Sequence, residues 1–338
     1  MSRPKVGCVI RTNILSFLVK LCVSGLLIYL VFSKVDLKQT LQQMRQISPA
    51  AAGLVIALLF FQVLVAALRW KEIVLSAATG TYRLPTSKLY FYYYLGNFLN
   101  QGLPSTLGGD ALRAWQLHRD GVTLKESVFS VVSDRLMALT AISLLILAAL
   151  PFWPVRVAPL QRDLVLLLAL GGLFSVPLTW LCCYVLRRLQ QWLQHRHWQR
   201  WLKIAALQDY LQRLFAHRGR LAVILSLSFA IHLLTCLMFY LLLVSLDSSV
   251  NLIHVLLMSF PVVLFAYLPI SVAGWGIREV AMFTAFQYLG VSESASVAVS
   301  ILFGFLVVVA SLPAGVLWLL QGRREAVKAR TELDQEGF

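Results

Sequence analysis

Long apolar runs separated by short polar segments set the pattern of this chain. Backbone groups in a bilayer find no water to bond, so a run of about 20 apolar residues is expected to cross the hydrocarbon core as a helix. No alternating pattern typical of barrel strands is present. The six clearest runs predict spanning helices at Ile14–Phe32, Ala50–Leu68, Leu136–Trp153, Leu164–Leu186, Leu221–Leu246 and Ala295–Leu320.

Two further apolar stretches, Leu89–Leu107 and Leu252–Leu289, are interrupted by helix-breaking residues. Proline removes a backbone donor and glycine weakens a helix, so broken or re-entrant helices are favoured here. An ordinary kinked span remains the alternative for each stretch. The interrupting residues are Gly96, Gly102 and Pro104 in the first stretch, and Pro261, Pro269, Gly274 and Gly276 in the second.

The two interrupted stretches resemble each other in sequence. Leu103–Arg113 reads LPSTLGGDALR, and Leu268–Arg278 reads LPISVAGWGIR, so the two segments align end to end without a gap. Three predicted spans lie between the copies, and an odd number of crossings inverts the second copy in the membrane. The sequence therefore predicts an all-α integral membrane bundle, one transmembrane domain over 1–338, with inverted repeats at about 14–153 and 164–320, each containing a broken or re-entrant hairpin.

Basic residues in the connecting segments predict the orientation. The segment 187–220 carries eight Lys and Arg residues against one acid, Asp209, with aromatic residues among them. This composition predicts a basic amphipathic helix at the cytoplasmic interface. Arg3 near the N-terminus and Arg323 in the tail place both termini on the same side.

Composition supports a membrane protein and argues against several other classes. Of 338 residues, 59% are hydrophobic and only 13% are charged, too few charges to cover a soluble globule of this size. The net charge of +15 suits anionic phospholipid better than nucleic acid in so apolar a chain. No nucleotide-binding, hydrolase or metal-binding motif occurs, so we expect no enzyme activity, no cofactor and no metal site.

Each repeat combines a helix break, a new helix start and an arginine, either Arg113 or Arg278. A helix start offers free N–H groups and partial positive charge, and arginine forks onto phosphate oxygens, so the pair predicts an anion site. Asp110 is a plausible N-cap of the first half-helix. The alternatives are structural: Arg113 extends to the interface, and Arg278 pairs with Glu279 or another acid.

Asp134 and Arg135 are adjacent in a predicted helix, where neighbours point about 100° apart, so they need not pair with each other. Asp134 either neutralises Arg113 or Arg278 in the empty state, or forms a structural ion pair near the cytoplasmic edge. His232 is expected to make a hydrogen bond between helices. Four glycines are expected to allow close backbone approach: Gly108, Gly109, Gly274 and Gly276.

Three motifs resemble the lysylphosphatidylglycerol synthase transmembrane-region family, which is also called flippase-like. They are GGDALR at Gly108–Arg113, SxxSDR at Ser130–Arg135, and LPISVAGWGIRE at Leu268–Glu279. The resemblance implies a lipid-translocating domain with re-entrant helices in a bacterial inner membrane. The family's synthases carry a C-terminal aminoacyl-transferase domain, whereas only a short tail follows Leu320 in this sequence, so synthase activity is not expected. Ala273 and Trp275 also stand where a more glycine-rich run is expected.

The expected function is movement of an anionic phospholipid, or of a lipid-linked or hopanoid-type lipid, between leaflets. One alternative is a scaffold subunit for a lipid- or glycan-modifying transferase, which would be the protein partner. Another is a membrane enzyme, whose acid–base groups would come from Asp110, Asp134 and Glu279. The predicted lipid-binding residues are Arg113, Arg278, Asp110, Gly108, Gly109, Gly274, Gly276, Asp134, Arg135 and Glu279.

Overall fold

The computed structural model describes residues 21–33, 35–80, 82–102, 107–153, 157–193, 199–246, 249–267 and 274–336. Within these ranges the chain is helical and has no strand, which confirms the predicted all-α membrane fold. The helices are α1 (Leu21–Phe32), α2 (Leu37–Gln46), α3 (Pro49–Ala77), α4 (Thr86–Gly102), α5 (Leu107–Arg119), α6 (Leu124–Ala149), α7 (Pro159–Leu193), α8 (Gln199–Ala216), α9 (Arg218–Val244), α10 (Leu252–Tyr267), α11 (Ile277–Gln287) and α12 (Glu293–Glu336).

Five described helices are long and apolar enough to cross a membrane, and they match five of the six predicted spans. The sixth, Ile14–Phe32, lies partly outside the described residues, and its described part is the short apolar helix α1. The five spanning segments are Pro49–Ala77, Leu124–Phe152, Pro159–Cys182, Arg218–Val244 and Glu293–Leu320.

Helix α3 continues well beyond the end of the predicted span at Leu68, as far as Ala77, because its polar continuation is buried in protein. Ser48 caps its start by accepting a hydrogen bond from the Ala51 N–H, with Pro49 at the first helical position. Arg69 and Trp70, which follow the apolar run in sequence, are both buried. The drop in hydropathy at Arg69 therefore does not mark the end of the helix, because this arginine lies inside the bundle.

The turn between α3 and α4 is fastened to the start of α6 by Glu126. Its carboxylate accepts hydrogen bonds from the Thr79 N–H and hydroxyl at 2.8 Å each, and from the Tyr82 hydroxyl at 3.2 Å. Burial and the neighbouring Glu126 carboxylate raise the pKa of Tyr82 above its usual value. These bonds fix the register of α3 against α6, the two helices that provide Arg69 and Asp134.

Both interrupted stretches are pairs of short helices. At 17 residues, α4 is about 25 Å long, less than the hydrocarbon core of about 30 Å. Lys88 and Tyr92, near the start of α4, each bond Asp120, just after the end of α5, at 2.9 Å. The chain therefore returns to the end from which it started, as a hairpin does. The connecting residues 103–106 and 268–273, including Pro104, Pro269 and Ala273, lie outside the described residues.

The helix order of the first half recurs in the second. When Leu103 is aligned with Leu268, α4 corresponds to 251–267, and α10 covers Leu252–Tyr267. With the same alignment α3 corresponds to 214–242, and α9 covers Arg218–Val244. In both halves the two-helix hairpin is followed by a long helix, α6 or α12. The inversion of the two halves in the membrane remains a prediction.

The predicted basic segment 187–220 includes the end of α7, the helix α8 and the start of α9. Tyr210, Leu211 and Leu214 of α8 are fully buried against the bundle, so this part of the segment packs on protein. Arg213 and Arg220 donate to the carbonyls of Ala77 and Leu75 at 2.7 Å each. The two arginines thereby satisfy carbonyl groups that the last turn of α3 leaves without helical partners.

Packing between α6 and α7 gives a first prediction. A Cβ atom at Gly172 would lie 2.2 Å from Ser143 Oγ and 3.1 Å from Leu139 Cγ, whereas a Cβ atom at Gly171 would meet nothing within 4 Å. Gly172→Ala should therefore lower the free energy of unfolding by about 1–3 kcal/mol. Gly171→Ala should leave it unchanged or slightly raised, because alanine favours a helix. Thermal unfolding of both variants in detergent checks this, and equal midpoints would contradict the close α6–α7 contact.

Candidate functional site

A buried chain of alternating charges joins α3, α5 and α6. Asp134 Oδ1 accepts from Arg69 Nε and Nη2 at 2.9 Å each, and Asp134 Oδ2 lies 3.4 Å from Arg113 Nη1. Asp110 Oδ1 accepts from Arg113 Nη2 at 2.9 Å and from Arg135 Nη2 at 3.1 Å. Asp110 Oδ2 accepts from Arg135 Nε at 2.9 Å. Each carboxylate is thus shared by two guanidinium groups. We call these five residues the arginine–aspartate network.

Helix geometry explains how the sequence builds this network. Asp110 and Arg113 are three residues apart on α5 and therefore share one face of that helix. Asp134 and Arg135 are adjacent on α6 and point in different directions, so Asp134 meets Arg69 and Arg113 while Arg135 meets Asp110. The expectation that Asp134 and Arg135 need not pair with each other is confirmed.

Arg113 is enclosed by protein and only 2% exposed. Its guanidinium carbon lies 4.3 Å from the Tyr93 ring centroid and 5.1 Å from that of Trp70, within the range of cation–π attraction. Trp70 is itself held by a 3.0 Å hydrogen bond from its indole N–H to Ser130 Oγ. Arg113 therefore does not extend to the interface, which was one of the alternatives. It is held inside the bundle and paired with Asp110 and Asp134.

The second hairpin holds a smaller charged group around Arg278. Arg278 Nη2 donates to Glu279 Oε1 at 2.8 Å, and Arg278 Nε donates to Ser300 Oγ at 3.2 Å. Ser300 Oγ in turn donates to Glu279 Oε1 at 3.0 Å. Arg278 therefore pairs with Glu279, as the structural alternative expected. The Arg278 guanidinium also lies 5.1 Å from the Trp275 ring centroid.

The start of α11 is closed to an anion by the protein's own carboxylate. Glu279 Oε2 accepts the Gly276 N–H at 2.5 Å. Gly276 has a φ of 89°, a conformation that glycine adopts without strain. The predicted anion site at this helix start is thus occupied by Glu279.

A polar cavity of about 290 Å³ lies where the two halves of the chain meet. Arg135 of the first half and Arg278 of the second both line it. The Arg135 side chain is 43% exposed although it bonds Asp110, so part of its guanidinium is open to the cavity. The other polar lining residues carry no permanent charge: Gln62, Tyr93, Asn97, His232, Thr235 and Tyr267.

His232 also contributes to the packing between helices. Its Nε2 atom lies 2.9 Å from the Ala138 carbonyl of α6, so the predicted hydrogen bond between helices is present. Its ring meets the Tyr267 ring edge-on, with 5.8 Å between centroids. The contact connects α6, α9 and α10 beside the cavity.

An apolar groove of about 270 Å³ lies beside the polar cavity, between α7, α10 and α11. Val262 lines both spaces, so the two spaces adjoin at that residue. The groove is lined mainly by apolar residues that include Leu164, Met258 and Phe265. An apolar space next to a cationic one has the form of a site for an amphiphile.

Of the ten predicted site residues, two line the cavity, four lie behind those two, and the remaining four are glycines. Arg135 and Arg278 line the cavity, whereas Asp110, Arg113 and Asp134 lie behind Arg135, and Glu279 lies behind Arg278. Asp110 was predicted as an N-cap, but α5 begins at Leu107, so Asp110 lies in the first helical turn. Its carboxylate accepts hydrogen bonds from Arg113 and Arg135 and does not cap the helix.

The predicted glycines shape the backbone in different ways. A Cβ atom at Gly109 would lie 2.0 Å from the Gly96 carbonyl, so this glycine permits close approach of α4 and α5. Gly274 and Gly276 have positive φ angles of 80° and 89°. Gly108 is half-buried at the start of α5.

Sequence reasoning did not identify Arg69 as part of the site, nor the lining residues Gln62, Asn97 and Tyr267. Arg69 follows directly after an apolar run, where a basic residue is usually read as the membrane boundary. The available signal was the polar residue Gln62 inside that same run, two helical turns before Arg69 and hence on the same helical face. Gln62 bonds the Ile231 carbonyl at 2.8 Å and the Thr235 hydroxyl at 2.6 Å.

These features define a multi-pass helical membrane protein with a charged cavity between two broken hairpins. The profile of the family described as "Lysylphosphatidylglycerol synthase TM region" matches residues 17–315, most of the chain. The chain therefore belongs to this family, as its motifs indicated, and the family suggests a lipid-related function in the membrane. Among curated proteins no match to the chain was found. In the described part of the chain, no group of three or more His, Cys, Asp or Glu side chains is arranged to hold a metal ion.

Proposed function

We propose that this protein moves lipids with an anionic headgroup between the leaflets of a membrane. The observation that carries the proposal is the cavity between the two halves, because an arginine from each half lines it. Guanidinium groups bind phosphate oxygens through paired hydrogen bonds, and charged groups inside a membrane protein usually mark a substrate path. A phosphate headgroup bound there is shielded from the hydrocarbon that otherwise opposes its crossing.

The apolar groove between α7, α10 and α11 supports a lipid over a small water-soluble anion. A headgroup in the polar cavity and an acyl chain in the groove would lie on the two sides of Val262. The same amphiphilic ligand thereby accounts for both spaces. No covalent step is part of this proposal.

Competition for Arg135 supplies a way for the headgroup to enter and leave. Arg135 uses Nε and Nη2 to bind Asp110, while its guanidinium has five N–H donors in total. A phosphate can bind the open side of Arg135 while Nε and Nη2 stay on Asp110, so the guanidinium is shared between the two anions. Binding that is shared with an internal carboxylate favours release on the other side. We further propose that both termini are cytoplasmic, on the evidence of the basic segment 187–220.

Reconstitution tests the proposal. Liposomes with purified protein and a fluorescent anionic phospholipid would report lipid movement by the fraction accessible to a membrane-impermeant quencher. Arg135→Gln and Arg278→Gln should each slow movement by about tenfold or more, because each removes a charge-assisted contact to the headgroup. Wild-type rates in both variants would contradict a site formed by these arginines.

Two controls separate headgroup binding from folding. Arg119→Gln changes an exposed arginine at the end of α5, whose guanidinium lies over the Trp115 ring, and should keep the wild-type rate. The double variant Arg278→Gln/Glu279→Gln removes both members of a buried pair and so leaves no unpaired carboxylate. If the double variant is folded and inactive, the defect comes from the lost headgroup contact. If no lipid moves with folded wild-type protein, the scaffold function becomes the better interpretation.

A further inference from the structure

We propose that the cavity selects lipids whose headgroup is a single phosphodiester bearing hydroxyl groups, and that it rejects headgroups that carry an ammonium group. This inference rests on the proposed lipid-binding function and specifies its substrate class. It concerns the chemistry of the cavity wall, which differs from what a lysine-bearing lipid headgroup requires. A headgroup with an ammonium group needs an anionic or carbonyl-rich partner when it leaves water.

The cavity wall offers positive charge and no free negative charge. Arg135 and Arg278 are the residues with permanent charge among its described lining, which includes no aspartate or glutamate. The two undescribed breaks next to the hairpins read LPST at 103–106 and LPISVA at 268–273, so neither contains an acidic residue. An ammonium group entering the cavity would face two guanidinium groups without a carboxylate partner on the wall.

The carboxylates behind the wall are already bonded. Both oxygens of Asp110 accept hydrogen bonds from arginines, at 2.9–3.1 Å. Glu279 uses Oε1 for Arg278 and Ser300, and Oε2 for the Gly276 N–H. An ammonium group would have to displace an arginine to reach either carboxylate, and the displaced guanidinium would remain buried without its partner.

The site as a whole has one more positive than negative charge, so a ligand with one negative charge would neutralise it. The network and the Arg278 pair contain the guanidinium groups of Arg69, Arg113, Arg135 and Arg278, and the carboxylates of Asp110, Asp134 and Glu279. Four cations against three anions leave a surplus of one positive charge. A phosphodiester carries one negative charge at neutral pH and neutralises this surplus. A zwitterionic headgroup leaves the surplus in place.

Neutral polar groups on the wall suit hydroxyl groups. Asn97 presents an amide group that can donate and accept hydrogen bonds, and Gln62 presents its amide oxygen as an acceptor, because its NH₂ group already donates to Ile231 and Thr235. Gln62 is oriented by its bonds to Ile231 and Thr235. Such groups bind a glycerol-type headgroup without requiring a second charge.

The test compares three phospholipids with the same fluorescent acyl chain: phosphatidylglycerol, phosphatidylethanolamine and lysylphosphatidylglycerol. Movement is measured in proteoliposomes, and binding is measured separately by native mass spectrometry in detergent. Phosphatidylglycerol should move and bind at least about tenfold better than the two ammonium-bearing lipids, because it keeps the charge-assisted contacts without an unpaired ammonium. Equal rates and binding for the three lipids would overturn the proposed selectivity while leaving lipid transport intact.

A variant with a carboxylate on the cavity wall sharpens the test. Asn97→Asp, nearly unchanged in shape, should reduce the preference for phosphatidylglycerol over phosphatidylethanolamine by about tenfold. The matched control is Asn251→Asp, at the exposed residue before α10 whose side chain accepts the Ile253 N–H at 2.9 Å, and its preference should equal that of the wild type. An unchanged preference in Asn97→Asp would contradict the role assigned to the missing carboxylate.

The two readouts separate the inference from the function on which it rests. Selective binding of phosphatidylglycerol without movement would support the inference and contradict transport. Neither binding nor movement of any of the three lipids would contradict both. Glycerol 3-phosphate at millimolar concentration should not displace the bound lipid, because it has no acyl chain for the apolar groove. Displacement would indicate a water-soluble phosphate ester as the ligand and would overturn the assignment to lipids.

Discussion

Replacement of Asp134 by asparagine is expected to lower the free energy of unfolding by about 3–5 kcal/mol, a cost typical of breaking a buried ion pair from one side. Asp134 is 1% exposed and holds both Arg69 and Arg113, which are 2% exposed each. The amide keeps the shape of the carboxylate but not its charge, so two buried guanidinium groups lose their shared partner. Thermal unfolding in detergent and the yield of monodisperse protein measure this loss.

The control for this prediction is the same substitution in an exposed pair. Asp120 bonds Lys88, whose side chain is 53% exposed, so Asp120→Asn should cost no more than about 1 kcal/mol. A comparable loss in both variants would mean that replacing an aspartate by asparagine is destabilising wherever it is made. Burial of the ion pair would then not be the cause of the loss. An Asp134→Asn protein as stable as the wild type would exclude the network as a stabilising element.

Hydropathy was sufficient to predict the spanning helices, because burial in lipid demands long apolar runs. Helix α9, for example, covers Arg218–Val244 where the sequence predicts Leu221–Leu246. Helix α3 was predicted too short, because hydropathy cannot distinguish an arginine at the membrane boundary from one that is paired inside the bundle. Arg69 meets Asp134 across 65 residues of sequence, and no local pattern contains that pairing.

The internal repeat shows why the arginines that line the cavity could be predicted only in part from the sequence. After the hairpins the alignment of the two halves shifts slightly, so that Gly121-Val122-Thr123 matches Gly290-Val291-Ser292. Asp134 and Arg135 then correspond to Phe303 and Gly304. Phe303 lies 5.7 Å from the Arg278 guanidinium, and a Cβ atom at Gly304 would lie 2.3 Å from Arg278 Nη2. The second half thus leaves room for its hairpin arginine to reach the cavity.

In the first half, the space that corresponds to the one at Gly304 is occupied by the Arg135 side chain. Arg113, the repeat partner of Arg278, is held by Asp110 and Asp134 behind that side chain. The sequence repeat pairs Arg113 with Arg278, but the three-dimensional neighbours of the two arginines decide which of them lines the cavity. Two arginines therefore line the cavity from positions that are not equivalent by the repeat. This asymmetry could not be predicted from the motifs, because they match in sequence while their packing partners on α6 and α12 differ.

The second large effect is expected from Gly109→Ala, which should prevent close packing of the first hairpin. The added Cβ atom would lie 2.0 Å from the Gly96 carbonyl oxygen and 2.5 Å from Asn100 Oδ1, and both distances are far below contact distance. One neighbour is backbone and cannot rotate away, so α4 and α5 must separate. Overpacking of this kind costs about 1–3 kcal/mol or more. We expect a lower unfolding midpoint together with loss of lipid movement.

The loss of function follows from what the α4–α5 contact positions. Asn100 Oδ1 accepts the Gly109 N–H at 3.0 Å, and the start of α5 carries Asp110, which holds Arg135 at the cavity. Displacing α5 therefore moves Asp110 away from Arg135 even where the fold survives. Gly53→Ala is the matched control, because a Cβ atom there meets nothing within 4 Å, and it should keep both midpoint and rate. A stable, fully active Gly109→Ala protein would show that the hairpin does not set the position of the cavity arginine.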